Sequence, residues 1–409
     1  MSTSFHCPYR QSTLLQQALA PDKMRIAFLL GAGCPVSIRV LDPDSAEKKA
    51  LIPDISGLTE HVKKTLADSE KHQAAYDKLT NRLKGDSSAA PTIEDILSHI
   101  RALQDVVRDS TIDGLDKTAL YDLDKEICDI ITKVVGVDLP ESSTPYHRFA
   151  TWIRDIQREH PIEIFTPNYD LLVEQALESQ GVPYFDGFVG SKQAFFDLAS
   201  MESHDPPSRY YDLPSRWVRL WKVHGSVNWW RTPKDEIVRR TEYSGSDRQM
   251  IYPSHLKFNQ SRRMPYLAML DRLREFLARG QAVLVTNGYS FGDEHLNEVI
   301  LHGLRSNPTA ICFALLFGSR SRYDVAMNKA RIHSNLSLLA EDGAVLGTVE
   351  GDWPNDAQPG HALHKISVVV DDSEEAKCKF LLGDFEHFGT FLAQQLSRPN
   401  DGVVGTHAT

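Results

Sequence analysis

Arg25-Ile26-Ala27-Phe28-Leu29-Leu30 is a short apolar run that stops at Gly31-Ala32-Gly33. A run of this length ending in a glycine pair reads as a buried strand feeding a tight turn, and a nucleotide-binding α/β core begins in this way. Glu163-Ile164-Phe165-Thr166, residues 219–223, residues 282–286 and the apolar stretch 310–317 have the same strand character. The strand at 282–286 is followed by a glycine turn and a helical period over 294–304. Strands that alternate with helices imply a mostly parallel sheet covered on both faces. The expected fold class is therefore α/β, Rossmann-like, with helices on both faces of the sheet.

Between about 58 and 135 the pattern changes to a helical period. Thr92 and Asp95 form a candidate cap, and Ile93, Ile96, Leu97, Ile100, Leu103 and Val107 share one face. Leu120, Leu123, Ile127, Ile130, Ile131 and Val134 repeat that spacing, after a polar loop, Lys84-Gly85-Asp86-Ser87-Ser88. The stretch from Pro140 to Pro145 marks a return to the core, with Thr144-Pro145 opening a helix. The domain reading is a Rossmann-like core at 1–56 and 140–397, an inserted helical module at 57–139, and a frayed tail at 398–409.

A chain of 409 residues exceeds one simple core, so two lobes are expected. Apolar residues at 41% and charged residues at 24% suit a folded protein and exclude a disordered one. The formal charge of −10 argues against a protein whose main task is gripping nucleic acid. Residues 208–280 run the other way, with 15 lysines and arginines against 7 acidic residues. That stretch reads as a solvated basic face, or as a surface for an anionic ligand, an acidic partner or nucleic acid. The first ten residues lack a signal-peptide layout and no run of about 18 apolar residues occurs, so no membrane span and a cytoplasmic location are expected. Cys7, Cys34, Cys128, Cys312 and Cys378 are scattered; neither structural zinc nor disulfides are indicated.

Four segments carry candidate chemistry. Gly31-Ala32-Gly33 suits close approach to a phosphate or only a tight turn. It fails the dehydrogenase fingerprint, because Val36 stands at the third glycine, and it makes no complete P-loop. Thr166-Pro167-Asn168-Tyr169-Asp170 follows a strand at the edge where ligands of open α/β sheets sit; Asn168 or Asp170 could instead cap the next helix. His224, in Lys222-Val223-His224-Gly225-Ser226, lies where a strand ends, as a functional or a structural histidine. Trp229 and Trp230 beyond it could wall a pocket or pack a core. Asn287-Gly288-Tyr289-Ser290-Phe291-Gly292-Asp293 is a strand-to-helix turn whose N–H groups and Ser290 hydroxyl could hold phosphate, with Asp293 as a candidate N-cap.

Taken in this order the segments resemble the sirtuin family. Gly31-Ala32-Gly33 with Ser37 is similar to its GAG-x(n)-S loop, and Ile52-Pro53-Asp54 to its next cofactor-loop motif. Thr166 to Asp170 resembles its T-x-N-x-D, His224-Gly225-Ser226 its H-G, and Gly288-Tyr289-Ser290 its phosphate-binding G-[TS]-S. Gly383-Asp384 resembles the late adenosine-contacting loop. The departures are that no cysteine lies between His224 and Gly288, where sirtuin deacylases carry a zinc module, that Ile55-Ser56 follow Pro53-Asp54, and that Pro167 stands at a glutamine. The block ending at Asp293-Glu294-His295 looks closer to the bacterial antiphage branch, whose members hydrolyse NAD.

That resemblance implies NAD as the substrate, no resident metal, and cleavage of the nicotinamide N-glycosidic bond. Nicotinamide leaves as a neutral molecule, so an acid on the leaving group is dispensable and the enzyme must stabilise an oxocarbenium-like centre. Asn168 would fix a ribose hydroxyl or the attacking water. Asp170 would orient the carboxamide or oppose the developing charge, and His224 would act as general base. Gly31, Ala32, Gly33, Ser37, Asp54, Thr166, Gly225, Gly288, Ser290, Phe291, Gly383 and Asp384 are the expected NAD-binding positions. The rival readings are an NAD-dependent deacylase or ADP-ribosyltransferase, and a non-catalytic nucleotide-binding subunit. Uncontrolled NAD hydrolysis would exhaust its cell, so a homo-oligomer and a trigger are expected, and the resemblance implies a HerA-type DNA-translocating ATPase as partner.

Overall fold

The computed structural model describes residues 4–20, 24–42, 47–84, 90–107, 110–201, 213–214, 216–234, 236–240, 248–251, 265–354, 364–370 and 378–396. A nine-stranded sheet forms its centre. Seven strands run parallel: Arg25–Leu30 (β1), Glu163–Thr166 (β2), Tyr184–Phe185 (β3), Val218–Lys222 (β4), Ala282–Asn287 (β5), Ile311–Leu315 (β6) and Leu336–Ala340 (β7). An antiparallel hairpin of Gly343–Leu346 (β8) and Val349–Asp352 (β9) closes one edge. The spatial order is β9-β8-β7-β6-β5-β1-β2-β4-β3.

The alternation of side chains along β1 divides the core in two. Ile26, Phe28 and Leu30 point to one face, where Phe28 meets Phe149 and Trp152 edge-on at 4.9 and 5.8 Å. Those two aromatics belong to helix Pro145–Asp155, which packs beside helix Phe385–Gln395. Ala27 and Leu29 point to the other face, against Leu273 and Leu277 of Pro265–Ala278 and Ile300 and Leu304 of Glu294–Ser306. Coverage on both sides explains why β1 and β5 are apolar along almost their whole length.

Among the described residues from 55 to 135 the chain forms four helices, Ile55–Leu66, Glu70–Lys84, Ile93–Val106 and Lys117–Val135. Thr92 and Asp95 make the reciprocal capping box their spacing predicts, and Ile93, Ile96, Leu97, Ile100 and Leu103 are all buried. These side chains belong to the same apolar cluster as Phe28 and Phe149, so this module shares a core with one face of the sheet.

A second, five-stranded antiparallel sheet has no counterpart in the sequence reading. It joins Arg248–Ile251, Gly225–Arg231, Ile237–Arg239, Ala194–Phe196 and Phe188–Val189 in that spatial order. Four of its strands have four residues or fewer, and the sheet rests on aromatic packing: Trp229 and Trp230 are buried, with Trp229 5.0 Å from Phe188. The strand expected at 310–317 is confined to Ile311–Leu315, and Phe317 is exposed. The tail at 398–409, most of the polar loop after Lys84 and much of the basic 208–280 stretch lie outside the described residues. Among the described residues, no helix is long and apolar enough to cross a membrane.

Candidate active site

After β1 the chain builds outward through β2 on one side and returns through β5 on the other, so the strand order reverses at β1. Ligands of open α/β sheets sit outside the carboxyl ends of the strands at such a switch point. The four motif segments all stand at this edge, following β1, β2, β4 and β5.

Two of the turns are built backbone against backbone. Gly31 N–H donates to the Asn287 carbonyl and Gly33 N–H to the Gly288 carbonyl, each at 2.9 Å. A Cβ on Gly31 would fall 2.3 Å from the Gly288 oxygen, and one on Gly33 2.7 Å from the Gly288 Cα. Gly288 has φ +65°, and a Cβ there would lie 2.5 Å from the Cys34 nitrogen. Glycine at all three positions is therefore a contact requirement. The buried Asn287 amide donates to the Leu382 carbonyl at 2.8 Å, which draws the next loop to this edge. A Cβ on Gly383 of that loop would meet the Leu316 carbonyl oxygen at 1.9 Å. Asp384 beside it accepts from Glu386 N–H at 3.0 Å as a helix cap. Ala32 and Gly33 stay exposed.

Thr166 ties the second strand end to the first. Its hydroxyl donates to the Leu30 carbonyl at 2.7 Å and accepts from Asn168 N–H at 3.0 Å. The Asn168 amide donates to the Gly31 carbonyl at 3.1 Å, so the half-buried Asn168 is held against the first glycine turn. Asp170 turns the other way: it is buried, and its Oδ1 accepts from Leu172 N–H at 3.0 Å at the start of helix Leu172–Ser179. Beneath it the buried Lys222 ammonium donates to the Asp170 carbonyl and lies 3.0 Å from Glu174 Oε1.

Burial pushes the Asp170 carboxyl up to about 6 against the pull of Lys222. Its folded value lies above the unfolded one, so its contribution to stability is complete below about pH 4 and is lost as the pH rises through about 6. Urea unfolding of Asp170→Asn and the unaltered chain is expected to show the difference moving in the variant's favour by about 3 kcal/mol from pH 4 to pH 7. A pH-independent difference would contradict a buried, titrating Asp170.

His224 lies in the turn after β4, with Nε2 2.9 Å from Asp293 Oδ2 and its side chain 14% exposed. Gly225, at φ +91°, lets the chain reverse into the second sheet directly behind it. Asp293 has two tasks. Its Oδ1 accepts from Leu296 N–H at 3.1 Å as the N-cap of helix Glu294–Ser306, while Oδ2 faces His224. Burial would raise the Asp293 carboxyl, but the hydrogen bond and charge of His224 outweigh it and hold it below its ordinary value. The same neighbourhood contains Glu94, whose Oε1 accepts from the Tyr169 hydroxyl at 2.5 Å.

The remaining expected positions divide by exposure. Ser290 is exposed on the phosphate-type turn. Phe291 is buried at φ +61°, with its carbonyl accepting from the Asn297 amide at 2.8 Å and its ring 4.9 Å from Tyr289; it shapes the turn from below. Ser37 closes the short helix Gly33–Val36 by donating to the Cys34 carbonyl at 2.7 Å. Asp54 caps helix Ile55–Leu66 by accepting from Gly57 N–H at 2.8 Å. Among the described residues no group of three or more His, Cys, Asp or Glu side chains is arranged to hold a metal ion.

The roles of Glu94, Tyr169 and Lys222 were missed by sequence reasoning, as was the pairing of Asp293 with His224. For Asp293 the cap spacing was visible and its second partner was not. Lys222, set between the apolar Trp221 and Val223 at a strand end, was the one signal for a buried ion pair.

Comparison with curated proteins finds no match. Among solved structures the chain is similar to one from work on the mechanism and regulation of Sir2 enzymes, at 8% identity over 75% of this chain and 84% of that one, with a TM-score of 0.34. It is similar to a Sir2 homologue mutant in complex with ADP-ribose, at 13% identity, 73% and 83% coverage and a TM-score of 0.31. A Sir2 homologue in complex with NAD gives 14% identity, 83% and 90% coverage and a TM-score of 0.36. Residues 162–336, which carry Asn168, Asp170, His224, Gly288 and Asp293, match the family model described as a SIR2-like domain.

Proposed function

We propose that this chain is an NAD hydrolase that cleaves the nicotinamide N-glycosidic bond at the crevice between β1 and its neighbours. The observation that carries this reading is the convergence of Asn168, held on Gly31, and His224, held on Asp293, beside the glycine turns of β1 and β5. The exposed turn at Ala32 and Gly33 and the exposed Ser290 would receive the pyrophosphate, with Gly33 N–H already committed to the Gly288 carbonyl. Asn168 would position the nicotinamide ribose or the water. As the C–N bond breaks its electron pair goes to the pyridinium nitrogen, so nicotinamide leaves neutral. Water adds its oxygen to the anomeric carbon, and His224 takes the proton it loses. The products are nicotinamide, ADP-ribose and a proton.

Deacylation would use the same cofactor and give a different product. Product analysis with NAD and an acylated lysine peptide is expected to yield ADP-ribose at a rate indifferent to the peptide. Peptide-dependent formation of O-acyl-ADP-ribose would overturn the hydrolase reading. We further propose that hydrolysis is regulated and serves to deplete NAD in an infected cell, with a HerA-type ATPase as partner; this rests on the resemblance of the 287–295 block alone.

A further inference from the structure

We propose that Glu94, supplied by the inserted helical module, is a further catalytic residue of this site, its carboxylate facing the ribose and opposing the positive charge that develops as nicotinamide leaves. The inference rests on the NAD hydrolase reading and assigns the module a part in the chemistry.

The placement of Glu94 is built from several directions. The capping box of Thr92 and Asp95 fixes the first turn of helix Ile93–Val106, and Ile93 N–H donates to the Thr59 hydroxyl at 3.0 Å. Ile93, Ile96 and Leu97 are buried beneath, which directs Glu94 toward the SIR2-like core. There it accepts the Tyr169 hydroxyl at 2.5 Å, and Tyr169 stands between Asn168 and Asp170. The Tyr169 carbonyl in turn accepts Val227 N–H at 3.0 Å, from the strand that follows His224. Glu94 thus joins the helical module to both catalytic segments. The charges of His224 and Asp293 both act on its carboxyl, as does that of Asp95; burial pushes the Glu94 carboxyl up, and His224 and the Tyr169 bond pull it back.

The other carboxylates near the crevice are committed. Asp170 is turned into its own helix, and Asp293 is shared between His224 and a helix cap. Glu94 has a neutral hydroxyl as its hydrogen-bond partner, and among the described residues no ion pair holds its carboxylate. A preorganised charge in a water-poor site acts where charge develops in the transition state.

Glu94→Gln separates a charge role from a structural one, because glutamine still accepts the Tyr169 hydrogen bond. Nicotinamide release, NAD binding by calorimetry and thermal unfolding are compared for the unaltered chain, Glu94→Gln, Glu94→Asp and Tyr169→Phe. The expected result is about 100-fold slower release by Glu94→Gln, with NAD affinity kept within about threefold and a smaller loss in Glu94→Asp, which keeps the charge. Tyr169→Phe, which keeps the carboxylate, is expected to lose less than about tenfold. Glu94→Gln at the unaltered rate, or Tyr169→Phe as damaged as Glu94→Gln, overturns the inference while leaving NAD hydrolysis standing. An unaltered chain that binds NAD and releases no nicotinamide, both alone and with cell extract as a source of activator, overturns the hydrolase reading, and this inference with it.

Discussion

Replacing His224 by alanine is expected to slow nicotinamide release from NAD by about 100-fold or more, with NAD binding and thermal unfolding close to those of the unaltered chain. The reason to expect so clean a separation is local. His224 sits in a turn, and its Nε2 contact is to Asp293 Oδ2, while the helix cap runs through Oδ1. Removing the imidazole leaves that cap in place and leaves Asp293, 23% exposed, able to recruit water. The glycine turns that would hold the pyrophosphate touch each other and do not depend on His224. Asn168→Ala is expected to cost turnover by a similar factor. It also removes the amide bond to the Gly31 carbonyl, at about 1 kcal/mol of stability. Chromatographic rates together with calorimetric NAD affinities check both variants, and near-normal turnover in either removes that residue from the mechanism.

Gly288→Ala is expected to damage the fold and the site together. Its φ of +65° is the left-handed region, costing an alanine about 1 kcal/mol. The added methyl would stand 2.5 Å from the Cys34 nitrogen and 2.9 Å from its sulfur. Neither can yield easily, since Cys34 N–H donates to the Gly31 carbonyl at 3.0 Å inside the same turn. Separating the two turns adds about 1–3 kcal/mol of overpacking strain, so a loss of about 3 kcal/mol in chemical unfolding is expected, with NAD binding abolished. A variant as stable as the parent that still binds NAD would show that the two turns have room to part.

Much of the core was legible because its signals are local. Apolar runs that stop at a glycine turn set β1 and β5 within a residue or so, a run between Pro161 and Pro167 sets β2, and the Thr92–Asp95 and Thr144–Pro145 caps are complete within a few positions of sequence. The Asn168, His224 and Gly288 segments were recognisable from order and spacing as residues at strand ends. What joins them was not legible. The pairs Glu94–Tyr169 and His224–Asp293 bridge segments about 70 residues apart, and no periodicity encodes such a meeting. The second sheet was missed because its strands at Phe188–Val189, Ala194–Phe196 and Ile237–Arg239 are too short to show alternation. Asp170 looks in sequence like a catalytic carboxylate at a strand end; its direction is decided by the Leu172 N–H and by the buried Lys222 below it.

The most direct test of the central claim is to incubate the purified chain with NAD, alone and with cell extract as a source of activator, and to quantify nicotinamide and ADP-ribose by chromatography. The account predicts that both products form in equal amounts and that both disappear in His224→Ala. NAD that stays bound and intact in every condition would contradict it.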